Sequence, residues 1–231
     1  MDTAVVAALI AALGGLALGV FNTREARRSR LEEQQHQAKA ELARYRKPLL
    51  EAAYDLGARI DNLQNRGFDT YIRSGDRRDV AVLSTLYRFA LYFGTLEILR
   101  SQLTFLDFED AEETRSTALQ IVEVAETLSS DSYDELMLWR EEQRAIGEET
   151  LLRERDGTLS CVGFATFVNE FEQRTGPWFQ RFQAELQKGG LASGSRRLRA
   201  VQAALFGLIR QLDEEKRYNE LLWLAEWSQN S

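Results

Sequence analysis

Residues 4 to 21 form a run of eighteen positions without a charged or strongly polar side chain, and four arginines, Arg24, Arg27, Arg28 and Arg30, follow it at once. As a helix rising about 1.5 Å per residue, such a run spans roughly 27 Å, close to a hydrocarbon core of about 30 Å. A helix that is apolar all round suits lipid, where nothing hydrates a polar side chain. Only Met1, Asp2 and Thr3 precede the run. The basic cluster therefore sets the orientation: N-terminus outside, C-terminal bulk in the cytoplasm. The expectation is a single-pass protein of the inner (cytoplasmic) membrane. A cleaved signal peptide is a poorer reading, because it needs a basic start and a small-residue cleavage site. This chain starts with an acid and runs into Phe21-Asn22-Thr23-Arg24. A buried helix of a soluble protein is the third reading, and it rarely needs an apolar surface on every side.

Within the run, Ala7, Ala11, Gly15 and Gly19 recur every four residues. Such a stripe lets helix backbones approach closely in lipid and permits a homo-oligomer. Ala and Gly are also simply common in membrane helices.

About 210 residues follow the anchor, enough for one sizeable core or two small ones. The chain has two prolines in 231 residues, which favours long uninterrupted helices. Its single cysteine, Cys161, excludes an intrachain disulfide and suits a reducing cytoplasm. The net charge of −7 argues against nucleic acid as a partner. That charge is unevenly spread. Asn22 to Lys47 holds eight basic and four acidic residues, whereas Asp107 to Asp156 holds sixteen acids and five arginines. The basic stretch lies where anionic lipid headgroups would be, and the acidic stretch lies far along the chain.

Beyond the anchor, Leu31, Gln35, Ala38, Leu42, Tyr45, Leu49, Ala52 and Leu56 follow a 4-3 spacing, which predicts a helix running to about Gln64. Pro48 either kinks this helix or starts a new one. Further helices are predicted over about 79–106, 109–129, 133–155, 160–175, 178–188 and 196–213, with a short terminal one over 216–227. Ser160 is the expected cap of the fourth of these, and residues 189–195 read as a flexible linker. No strand alternation stands out. The chain divides into a transmembrane anchor over 1–22, a basic juxtamembrane stalk over 23–48 and a cytoplasmic bundle over 49–231. The fold class is all-α, with about five to seven helices in the bundle.

Chemistry is sparse. The only histidine, His36, lies on the stalk, so a histidine-ligated metal in the bundle is not expected, and neither is a Cys-His or Ser-His nucleophile. Cys161 at a helix start would have its pKa lowered by the dipole; the plainer reading is a small buried apolar residue. Arg196, Arg197 and Arg199 could hold an anion at a helix start or form a solvated turn.

Two stretches stand out, Leu86 to Arg100 and Trp139 to Glu149. Aromatics cover most of the first helix, so it should be central. Its Arg88, Glu97 and Arg100 then need partners, since unpaired buried charges are costly. The expectation is a shared buried network with Glu142, Gln143 and Arg144, including an Arg88–Glu142 pair. It serves either to specify the core or to line a ligand pocket. Trp223 and Trp227, four residues apart, are a candidate patch for a protein partner of unknown identity.

Tyr87 to Arg100 and Glu142 to Gly147 resemble segments of an uncharacterised group of bacterial single-anchor helical membrane proteins. The similarity covers most of the chain after Tyr45 and implies no activity. The function expected is a membrane-tethered interaction or scaffold module, without cofactor and not an enzyme. The alternative is a sensor or effector with a small ligand between its helices.

Overall fold

The computed structural model describes residues 33, 40, 43–73, 75–102, 112–188 and 191–218. The proposed membrane segment with its Ala7, Ala11, Gly15 and Gly19 stripe lies outside the described residues. So do Arg24, Arg27, Arg28 and Arg30, and the Trp223–Trp227 pair.

Helix α1 covers 43–65 and runs unbroken through Pro48. Leu49, Ala52, Leu56, Ile60 and Leu63 are all buried, so this part of the heptad seam packs on the protein's own core. Gly67, at φ +73°, ends the helix in the left-handed conformation that glycine adopts cheaply. A short α2, Asp69–Arg73, leads to α3, Arg78–Gln102. Helix α3 is the axis of the fold, buried over most of its circumference from Ala81 to Leu99. Among the described residues it is the one helix long and apolar enough to cross a membrane, and 72% of that apolar stretch is buried by the surrounding helices.

Helix α4, Glu112–Ser129, packs lengthwise on the last helix. Residues 133–139, expected to be helical, are irregular instead. Leu136 there adopts φ +53°, with its side chain buried and its N–H donated to Glu185 Oε2 at 2.5 Å. The helix starts only at α5, Arg140–Glu149, where Glu142 accepts the Trp139 N–H at 2.7 Å in a capping box.

Two strands follow where helix was expected: β1, Leu151–Arg153, and β2, Leu159–Cys161, antiparallel with Leu152 opposite Ser160. Ser160 therefore caps nothing; Gly163 precedes α6, Phe164–Glu170. Helix α7, Gly176–Leu186, has a proline in its first turn, which is tolerated there. Part of the expected linker forms a helical turn, α8, Leu191–Gly194. Helix α9, Arg196–Leu212, is capped by Ser195, whose Oγ accepts from Leu198 N at 3.1 Å. Residues 214–218 form turns, with Lys216 at φ +53°, rather than opening the expected terminal helix. The architecture is thus a helical bundle around α3 with one small hairpin, and a single hydrophobic core connects α1 to α9.

Candidate functional site at the crossing of α3 and α5

The two stretches singled out by sequence do meet: α3 packs extensively on α5. Gly147 sets the distance. A Cβ placed there would lie 2.8 Å from the Phe93 carbonyl oxygen and 2.7 Å from Glu97 Cγ, so the α5 backbone rests directly on α3. At the other end of the contact, a Cβ on Gly94 would lie 2.8 Å from Cys161 Sγ and 3.2 Å from Thr150 Cγ2. Both glycines are where they are because any side chain would push the elements apart.

Glu97 is buried at the edge of this crossing. It accepts from Arg100 on its own helix and lies 3.5 Å from Arg144 Nη2 on α5. Arg144, itself exposed, also reaches Glu148 at 3.7 Å. Gln143 is buried, and its hydrogen bonds go to elements other than α3. Its amide donates to Ala125 O at 3.0 Å and Leu138 O at 2.9 Å, tying α5 to the end of α4. The Arg88–Glu142 pair does not form. Glu142 is occupied at the α5 cap, and Arg88 donates to Ser84 O at 2.9 Å in the preceding turn. Arg88 instead faces Asp55 and Arg59 on α1. Trp139 is 57% exposed because it sits at the α5 cap, outside the helical phase.

Cys161 lies in β2, not at a helix start, and no dipole assists it. Burial pushes its thiol up to about 11, against a smaller opposing effect of its hydrogen bond with Thr95. Tyr87, whose hydroxyl donates to Val162 O at 3.0 Å, is also raised, chiefly by burial. Arg197 neither binds an anion nor lies in a solvated turn. It is fully buried and donates to four backbone carbonyls: Nε to Glu135 (2.6 Å), Nη1 to Thr127 (2.9 Å) and Leu128 (2.8 Å), and Nη2 to Tyr133 (2.7 Å). Two of these are orphan carbonyls at the end of α4, where a cation also meets the negative pole of the helix.

A small cleft of about 120 Å³ lies between the start of α1 and the end of α9, floored by Leu50, Leu212 and Tyr218. Drug-sized ligands occupy sites of about 300–1,000 Å³. Its rim cations already have partners: Arg46 holds Leu212 O and Glu214, and Arg217 holds Glu215. Among the described residues no group of three or more His, Cys, Asp or Glu side chains is placed to hold a metal ion.

Sequence reading missed Arg59, which is 8% exposed on α1. The signal was present: 49, 52, 56, 59 and 63 continue the 3-4 seam, so an arginine occupies a core phase. Compared with protein-family models, with curated proteins and with solved structures, the chain matches none.

Proposed function

We propose that the helical bundle is an interaction module, held at the cytoplasmic face of the inner membrane by the N-terminal apolar segment. The observation that carries this reading is the closure of the α3–α5 crossing. A ligand between these helices needs a gap, and Gly147 brings the α5 backbone against Phe93 O instead. Glu97, Gln143 and Arg197, the polar groups inside the bundle that invite a chemical role, have hydrogen-bond or ion-pair partners within the fold.

The surface, by contrast, carries large apolar groups. Trp139, Leu152 and Trp178 are 57%, 46% and 43% exposed. Exposed aromatics of this kind serve as anchors in protein interfaces. In the same stretch of chain exposed acids, Glu141, Glu148, Glu154 and Asp156, alternate with exposed arginines, Arg140, Arg144, Arg153 and Arg155, a mixed-charge rim that suits a polar partner surface. Tethering would raise the local concentration of such a partner at the membrane.

Crosslinking of the full-length protein in native membranes, followed by mass spectrometry, tests the reading. Crosslinks from the α5 and hairpin region to one recurrent protein are the expected result. Their absence, together with saturable binding of a small molecule that protects α3 and α5 from hydrogen exchange, would favour the sensor reading instead.

A further inference from the structure

We infer that Arg59 and Arg88 form a binding site for a phosphate-type oxyanion at the surface between α1 and α3. Arg59 is the starting point. It is more than nine-tenths buried, its guanidinium carbon lies 3.8 Å from the centroid of the Phe68 ring, and its Nε and Nη1 have no hydrogen-bond acceptor. The aromatic face offsets part of the cost of burying this cation. It supplies no oxygen acceptor, and a buried charge without one is expensive.

Arg88, on α3, lies close enough for its charge to act on Arg59. It is half-buried and makes one hydrogen bond, to Ser84 O on its own helix. The two guanidinium groups repel each other, and among the described residues neither makes an ion pair with a carboxylate. Burial first, and Arg88 second, push Arg59 down to about 10. An arginine stays charged under any condition in which the protein folds. The depression therefore measures how poorly this cation is compensated. Asp55, one turn before Arg59, is the acid that attracts both arginines, yet it lies beyond ion-pair distance and is exposed. Two cations against one acid leave a net positive charge at this groove.

A tetrahedral oxyanion would accept from both guanidinium groups and screen their repulsion, as planar donor forks do with phosphate generally. The same chemistry could arrive as free phosphate or a phosphorylated metabolite, or as the headgroup of an anionic lipid. The rival occupant is internal: Asp55 could swing in and pair with the arginines itself. The two cases differ in sign for one variant. If Asp55 only competes, Asp55→Asn tightens phosphate binding. If Asp55 is the true partner, Asp55→Asn destabilises the fold, and phosphate does not bind the native protein.

The test uses the full-length protein in nanodiscs of phosphatidylcholine, titrated with inorganic phosphate against chloride at matched ionic strength and read by calorimetry. Phosphate-specific heat is expected, at least about tenfold weaker binding in Arg88→Gln, and several-fold tighter binding in Asp55→Asn. Arg88 is half-buried and makes one intrahelical bond, so its variant should keep the fold, and circular dichroism verifies this. Repeating the titration in nanodiscs containing phosphatidylglycerol separates the sources. Loss of phosphate binding there assigns the site to lipid headgroups, and unchanged binding assigns it to soluble ligands. Equal heats for phosphate and chloride, or equal affinity in wild type and Arg88→Gln, would overturn the inference.

Discussion

Arg197 is the side chain on which the far end of the bundle closes. Its guanidinium satisfies carbonyls of Thr127, Leu128, Tyr133 and Glu135, so it joins α9 to the end of α4 and to the irregular segment after it. Arg197→Met removes the cation and takes the side-chain donor from Thr127, Tyr133 and Glu135, while Leu128 O keeps the Leu138 N–H at 3.0 Å. A loss of about 3–5 kcal/mol in urea unfolding is expected. Arg197→Lys should recover less than half of it, because one ammonium cannot reproduce a planar fork. A loss below about 1 kcal/mol for Arg197→Met would remove this role. The four carbonyl partners were not legible in the sequence, but the inward phase of Arg197, four residues before Val201 and eight before Leu205, was.

Cys161 is readable in part: it was expected to be a small buried residue and is partly buried, but its place in a strand was not legible. With the thiol at about 11 rather than 9.0, its thiolate fraction at pH 8 is about a hundredfold below that of an unperturbed cysteine. Alkylation followed by mass spectrometry should show slow modification whose rate climbs through about pH 11. The sign for stability follows. The folded state disfavours the thiolate, so this contribution is intact below about pH 9 and fades as pH rises toward 11. A rate plateau near pH 9 in the native protein would contradict this.

At the scale of elements, the helices with strong 3.6 periodicity were legible almost to their ends. Helix α9 is the clearest case, with Leu198, Val201, Leu205, Leu208, Ile209 and Leu212 all buried. The region 130–163 was not. Helix propensity over 133–155 is high, and it is overridden at two points. Leu136 enters the core with positive φ, and after Thr150 the chain turns into a three-residue strand, too short for alternation to be noticed. The available sign was Asp156-Gly157, a turn pair between Leu152 and Leu159, with Gly157 at φ +86°. The α3–α5 contact makes a prediction of its own. Ala for Gly in a helix normally gains about 1 kcal/mol. At Gly147 the added methyl meets the Phe93 backbone, which cannot give way as a side-chain tip could, so Gly147→Ala should cost about 1–3 kcal/mol net. Gly194→Ala, with nothing within 4 Å of the new carbon, is the control and should be neutral or stabilising. Equal denaturation midpoints for the two variants would show that Gly147 does not set the crossing distance.

At the scale of the molecule, the question is which apolar helix is left for the membrane. Two segments have the length and composition to span it: the run over 4–21 and α3. Helix α3 gives its apolar surface to α1, α5, α6 and α7, and extracting it into lipid would expose Leu86, Phe89, Ala90 and Leu96 of the core together with buried Glu97. A helix cannot serve both solvents, because the area that stabilises the bundle is the area lipid would claim. On the membrane-tethered reading proposed above, the N-terminal run would make the one crossing and the folded unit would lie on one side. Two separate measurements follow. Full-length protein should stay in the membrane pellet through carbonate and high-salt washing, whereas a chain lacking residues 1–22 should appear in the supernatant. Replacing Arg24, Arg27, Arg28 and Arg30 with glutamate should invert or scramble orientation, read by protease access to the bundle in sealed inside-out vesicles. Release of the full-length chain by carbonate would end the anchor. Retention of the truncated chain would mean that α3 or a lipid-binding surface of the bundle, the Arg59–Arg88 groove among them, holds the protein at the bilayer instead.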